Sequence, residues 1–433
     1  MSHSSTKNHL VINLLVWACL CLPLSSLAAK YEFKLDFDAK YGTHVYGLPS
    51  TATNRHSIAY EQKIEFDSNW TSLLGFRAEV ESAYAAVPER YGSGNVAKID
   101  SQTFFPRDNY IQYQGGIFRA RAGYQQVVWG EAFGYYYADI VNPKDYREAG
   151  LGNLSQNRLN TPILNLQWIF SSNSIQVLYM PTAGYSLMPS SGSDFNINKP
   201  SGTLASYPII IEREPLNPLT RAEYGLRFTQ QYSPMDFSLF YLNYYDRFPI
   251  YQYQINPLTA GIVAKPDFRP LQTQGATVTI DYDGYLFRSE ILKHTDRELN
   301  MIDGTNIAVG KTNETISVFG IDFPMVNKWL IAIQYSESLL EEKSTWARRP
   351  RMETIASVRI SKTFSNNLIF ETLLTDYTQD SSTLLQSQVT IPISNQNEVI
   401  FGADRFEGGD ATAFGSLKNA SRVWLMFKAT LKR

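Results

Sequence analysis

Cysteine is almost missing from this chain of 433 residues: there are two, Cys19 and Cys21, both inside the first thirty residues. Everything beyond them is therefore without a disulfide, a thiolate zinc site or a cysteine nucleophile. Histidine is scarce as well. Past residue 30 only His44, His56 and His294 occur, and none stands in a Ser/His or Asp/Glu/His arrangement with catalytic or metal-ligand spacing. No catalytic residue, metal or cofactor is expected. Long apolar runs are missing too: after residue 30 nothing approaches the roughly twenty consecutive apolar residues of a membrane helix. Charge is sparse at 18% and nearly balanced at a net −2, which argues against a nucleic-acid partner. Aromatics, by contrast, reach 13%, with 27 Tyr and 24 Phe.

The N-terminus reads as an export leader. Lys7 supplies positive charge, Leu10 to Leu24 form an apolar stretch broken by Pro23, and Ser26-Leu27-Ala28 offers a small-x-small cleavage site. About fifteen apolar residues are too few for a comfortable helical span. A lipoprotein signal with lipid on Cys19 is disfavoured because Trp17 stands where a small residue is needed. The expected organisation is a signal peptide over 1–28 and a single domain over 29–433.

Alternation is the dominant pattern after the leader. Ile58, Tyr60, Gln62, Ile64 and Phe66 interleave with Ala59, Glu61, Lys63, Glu65 and Asp67. Leu74, Phe76, Ala78 and Val80 interleave with Gly75, Arg77, Glu79 and Glu81; similar segments surround 118–125 and 221–228. Strand side chains point to opposite faces with period two, so each segment has one apolar face and one polar face.

Loop lengths separate a barrel from a sandwich. Eighteen strands are predicted, near 31–40, 57–67, 73–84, 107–114, 117–127, 163–170, 174–180, 221–231, 235–245, 273–283, 284–293, 314–323, 328–336, 353–362, 367–377, 384–392, 397–406 and 420–431. Sixteen is the alternative if a segment such as 174–180 or 107–114 is not a strand. Short connections (Gly115-Gly116, Tyr232-Ser233-Pro234, Asp283-Gly284) alternate with long ones near 85–106, 128–162, 181–220, 246–272, 294–313 and 337–352. Tight periplasmic turns and long outer loops are the mark of an all-β, antiparallel, up-and-down transmembrane barrel in the outer membrane of a Gram-negative-type cell. A soluble sandwich has no reason to sort its loops by parity. Both termini fall at the periplasmic rim, and the strand number is even.

The most distinctive segment runs from 119 to 147. Arg119 and Arg121 share the inner face of their strand, and Glu131, Asp139, Asp145 and Arg147 follow on a loop. Asn142-Pro143 reads as a helix start. The expectation is an inward-folded loop over 128–162, pinned by Arg119 and Arg121 to its carboxylates, either as a structural latch or as a constriction. The pattern Arg121-x-Gly123-x-Gln125, Trp129-Gly130-Glu131, Asn142-Pro143-x-Asp145 resembles poorly characterised outer-membrane barrels classed under a domain of unknown function, often encoded near resistance-nodulation-type exporters. Alginate-export-type barrels share a looser version. The resemblance covers about 25 residues; it implies a transport-related barrel and supplies no substrate.

Charges on the lipid face cost several kcal/mol near the midplane. Glu61, Lys63, Glu65, Arg77, Glu79 and Glu81 are therefore expected in the lumen, together with Arg227, Arg288 and Glu290, as a filter or as a salt-bridged wall. Tyr135, Tyr136 and Tyr137 are candidates for stacking a ligand, with girdle or loop packing the plainer reading. Tyr207-Pro208-Ile209-Ile210-Ile211 is apolar for an outer loop, and Arg348-Arg349-Pro350-Arg351 could meet lipopolysaccharide phosphates. The expected function is a porin-like channel for a small solute. The alternatives are a plug-less ligand-binding receptor, with specificity in loops 181–220 and 246–272, or the barrel partner of an export system. Expected partners are outer-membrane lipid, lipopolysaccharide and a small solute, and monomer and homo-oligomer stay open.

Overall fold

A computed structural model describes residues 30–44, 52–66, 69–86, 96–133, 136–148, 157–189, 195, 209–211, 221–256, 261–303, 306–342, 350–365 and 367–432. The leader expected over 1–28 lies outside the described residues. The wall is one closed antiparallel sheet in which successive wall strands pair with one another, and the first strand, Lys30–His44, closes on the last, Arg422–Lys432. Two segments, Val96–Pro106 and Asn109–Gly115, pair in succession with Trp70–Ala86 and form one interrupted strand, so the barrel has eighteen. Each of the eighteen predicted segments is a strand.

Short connections gather at one rim and the long ones at the other. Closure leaves no sheet edge for the lipid to solvate over most of the circumference, which is what permits a β structure to face hydrocarbon. Among the described residues no helix is long and apolar enough to cross a membrane. The outward face is apolar: Phe33, Phe37, Phe401, Val423, Leu425 and Phe427 are all exposed. Tyr232, Tyr282 and Trp329 stand beside the short turns, also exposed, where a girdle meets the headgroups.

Two predicted loops are instead strand. Val96–Pro106 fills much of the predicted loop 85–106, and Tyr285–Asp303 pairs with Asn306–Asp322 nearly to their tips, across a register shift between His294 and Arg297. Backbone pairing continues there although the apolar alternation of the sequence fades. Over the outer rim Ile250–Asn256 pairs with Gly261–Asp267, which takes Ile209–Ile211 as a parallel neighbour. That pairing accounts for the isoleucine run at 209–211; Tyr207 and Pro208, and Arg348 and Arg349, lie outside the described residues.

Candidate pore constriction

The eight-residue strand Phe118–Gln125 stops short, and the chain then turns into the lumen. Gln125 is fully buried and donates from Nε2 to the Ile163 carbonyl at 2.8 Å, while Asn165 donates to its Oε1 at 3.2 Å. Gly123 two residues earlier has φ +134°, and a Cβ there would stand 2.2 Å from the Asn109 carbonyl oxygen. Only glycine fits that approach.

The inward segment, residues 127–148, is a strap between two walls. Trp129 is fully buried, donates from Nε1 to Gln176 Oε1 at 2.9 Å and packs on Phe240, ring centroids 5.3 Å apart. Gly225 leaves room for it: a Cβ there would lie 2.8 Å from the indole. Val127, Ala132, Ala138 and Val141 join a buried apolar cluster with Leu178, Leu242 and Leu292 from the barrel's inner face. At the far wall the Glu290 carboxylate accepts the N–H groups of Glu131 at 2.6 Å, Ala132 at 2.9 Å and Ala138 at 3.0 Å. Gln334 accepts that of Phe133 at 2.9 Å. One carboxylate thus answers three backbone donors of a turn that has no ladder of its own.

The return limb is held by charge. Arg247, paired with Glu223 at 2.8 Å and buried with it, donates to the Val141 carbonyl at 2.7 Å. Arg147 bridges Asp145 at 2.6 Å and Glu79 on the opposite wall at 2.7 Å. Glu148 then meets three cations from three strands: Lys40 at 3.0 Å, Arg55 at 2.9 Å and Arg422 at 2.6 Å. Burial pushes the Glu148 carboxyl upward, but Arg422, Arg55 and Lys40 outweigh it and hold the group well below the usual carboxylate range. Burial lowers Lys144, with Asp139 opposing.

Two cavities remain beneath the strap on the short-turn side. The larger, about 490 Å³, runs from Asp36, Asp38 and Lys428 up to Arg77, Glu79 and Asp145. The smaller, about 330 Å³, lies under the strap tip between Glu131, Arg227 and Asp236. The lumen is thus crossed by a strap, with charged space left beside it.

The sequence matches the family described as "Protein of unknown function (DUF1302)" over residues 36–409. The chain belongs to that family. No curated protein matches it. Among solved structures it is similar to Acinetobacter baumannii OccAB1, at 9% identity and TM-score 0.54, covering 93% of this chain and 96% of that one. It is also similar to Pseudomonas aeruginosa OccK7 (OpdD), at 10% identity and TM-score 0.52, covering 94% and 99%. At such identities the likeness is one of fold. This member of DUF1302 thus shares the barrel architecture of those two proteins.

In this DUF1302 barrel the predicted site residues divide into three groups. Arg77, Glu79, Asp145 and Arg147 come together at one end of the strap. Asp139 is used within the strap's own loop, by Arg158 at 2.7 Å and Lys144 at 3.4 Å, and Glu131 lies 3.5 Å from Arg227. Arg119 and Arg121 are elsewhere. They sit near the short-turn rim, donating to Gln114 and Gln112 at 3.1 Å, with Arg121 also over the Tyr110 ring at 4.3 Å. They do not pin the loop. Their strand climbs away from the turn before the strap begins, so the carboxylates lie higher in the lumen. Lys63 and Glu65 pair at 2.5 Å near that same rim, and Glu61 is half-buried on the inner face.

The expected helix at Asn142 is also absent: Lys144 and Asp145 form bridges to Arg158 and Leu187 instead. Asn142 does not cap a helix. It accepts the Val127 N–H at 2.7 Å and reaches the Gln125 and Leu159 carbonyls at 3.0 Å, stapling the two ends of the loop together. Tyr136 and Tyr137 are half-buried, Tyr137 against the apolar cluster. Tyr135 and the Glu81 side chain lie outside the described residues. The residues sequence reasoning did not single out are Glu148, Lys40, Arg55, Arg422, Gln334 and the Glu223–Arg247 pair. Inward parity was available as a signal for those on strands; Glu148 and Arg247, on loops, carried none.

Proposed function

We propose that this chain is an outer-membrane channel for a small polar solute, exported with its 1–28 leader removed, and that the 127–148 strap is its constriction. The observation that carries the reading is the strap itself. It crosses the lumen but leaves charged cavities of about 490 and 330 Å³. Arg77, Glu79, Asp145 and Arg147 form the filter in this reading, with Asp139 and Glu131 shaping the strap. Glu61, Lys63, Glu65, Arg119 and Arg121 line the periplasmic vestibule. Fixed charges of both signs beside a narrow path select solutes by charge and orientation. Kinship with alginate-export-type barrels, carried by Arg121, Gly123, Gln125, Trp129 and Asn142, belongs to the same proposal. Reconstitution in planar bilayers tests it: discrete conductance steps are expected, and silence under every salt and voltage condition would defeat it.

A second reading is a ligand-binding receptor with a closed lumen. The small outer sheet favours it, since Tyr251 and Asn300 tie that sheet to the barrel through two hydrogen bonds, at 2.8 and 2.9 Å. Tight ligand binding by calorimetry without ion current would support that reading over the first. Oligomeric state is left to mass measurement in detergent.

A further inference from the structure

Among the described residues the barrel wall is incomplete on one side. Val96–Pro106 pairs with Trp70–Ala86 along one edge, but among the described residues no strand pairs with its other edge. The neighbour on that side, Phe118–Gln125, is paired only as far as Asn109↔Tyr124. Above that level the ladder ends, while outward-facing Phe104 is 61% exposed, as a lipid-facing residue would be. The foot of the break is polar. Pro106 has no N–H to leave unpaired. The Arg107 N–H reaches the Gly75 carbonyl at 3.0 Å, and the Asp108 carboxylate takes Asn160 Nδ2 at 2.7 Å. Gln126 donates to Asn160 Oδ1 at 3.1 Å and completes a polar sill. The break is a built feature, and it is not a frayed strand.

The larger cavity touches this break. Phe105 and Pro106 line it on one side, Gln126, Leu159 and Asn160 on the other. Inside, Arg147 lies over the Phe105 ring at 5.6 Å. We propose that the break is a lateral portal joining the cavity to the lipid, and that it admits single-chain amphiphiles. The polar head stays in the charged cavity and the apolar tail leaves between Phe105 and Leu159. An end-to-end pore has no use for such an opening, so the portal goes beyond the channel reading and stands or falls apart from it.

The mature chain lacks cysteine, so single cysteines report cleanly. Phe105→Cys faces the lumen, Phe104→Cys faces lipid, and Thr277→Cys faces the lumen from a strand paired on both sides. Each is labelled with a small fluorophore and reconstituted with lipids carrying brominated tails. The portal predicts that position 105 is quenched severalfold more than position 277 and comparably to 104. It predicts also that a dodecyl glycoside, but not its butyl analogue, slows aqueous thiol modification at 105 severalfold and leaves 277 unchanged. Quenching at 105 no greater than at 277 would overturn the proposal, whether the edge is covered by this chain or by a second copy. Equal effects of the two glycosides would remove the amphiphile. Should Phe105→Cys fail to fold, Thr103→Cys, on the same inward face, serves the same comparison.

Discussion

Glu148 and Arg422 stand 274 residues apart in the chain and 2.6 Å apart in the barrel. The first ends the strap that crosses the lumen; the second begins the strand that closes the cylinder. Arg422 also holds Asp404 at 2.9 Å, so the strap's anchor and the barrel's seam share one buried guanidinium. Closure of the wall and placement of the strap are therefore coupled.

Replacing Glu148 by Gln leaves Lys40, Arg55 and Arg422 facing one another without their shared carboxylate. Breaking a buried ion pair from one side costs about 3–5 kcal/mol. The strap limb should detach while the barrel persists. Larger and noisier single-channel conductance is expected, with the heat-modifiable gel mobility of a folded barrel unchanged; conductance identical to the parent protein would remove Glu148 as the anchor.

The same group sets the response to acid. Its folded-state affinity for protons is depressed, so its contribution is fully present above the unfolded carboxylate range. That contribution is lost only as pH falls through the lower folded value. Conductance should stay level from neutral pH through the ordinary carboxylate range, about pH 4–5, and rise only below it. An opening transition within that range, persisting in Glu148→Gln, would assign the pH response to another group.

Glu290→Gln and the double change Arg119→Ala, Arg121→Ala separate the two candidate pins. A glutamine offers one acceptor oxygen where the turn of the strap presents three N–H groups, and losing a charge-assisted hydrogen bond costs about 1.5–3 kcal/mol. Faster tryptic cleavage at Lys144 or Arg147 is expected for Glu290→Gln. The arginine pair contacts Gln112, Gln114 and the Tyr110 ring, none of them on the strap, so its removal should leave that cleavage rate unchanged.

Gly225→Ala probes the seat of Trp129. The added methyl would meet both the indole and Leu242 at 2.8 Å, and overpacking of this kind costs about 1–3 kcal/mol. A red-shifted tryptophan emission and a more easily cleaved strap are the expected readouts; a parental spectrum and cleavage rate would mean that the seat can yield.

The barrel was legible because its rule is local. Ile58, Tyr60 and Ile64 must face lipid while Glu61 and Lys63 must not, and the pleat enforces that from one residue to the next. The rule weakens where apolar alternation fades while backbone pairing continues, which is why Val96–Pro106 read as loop. Arg119 and Arg121 were placed on the correct face, but parity says nothing of height along the axis, and height is what separates them from Asp139 and Asp145.

By itself the sequence determined that this chain crosses a membrane as a cylinder of eighteen strands or sixteen with its loops sorted by rim. Period-two alternation and turn length act over a few residues and need no partner. Only the tertiary structure decided which carboxylate meets which cation across the lumen, that Asn142 staples a loop and caps no helix, and that the wall stops pairing beside Phe105. Those outcomes depend on closure, which brings Glu148 to Arg422 and Glu131 to Glu290 through distances that no local pattern records.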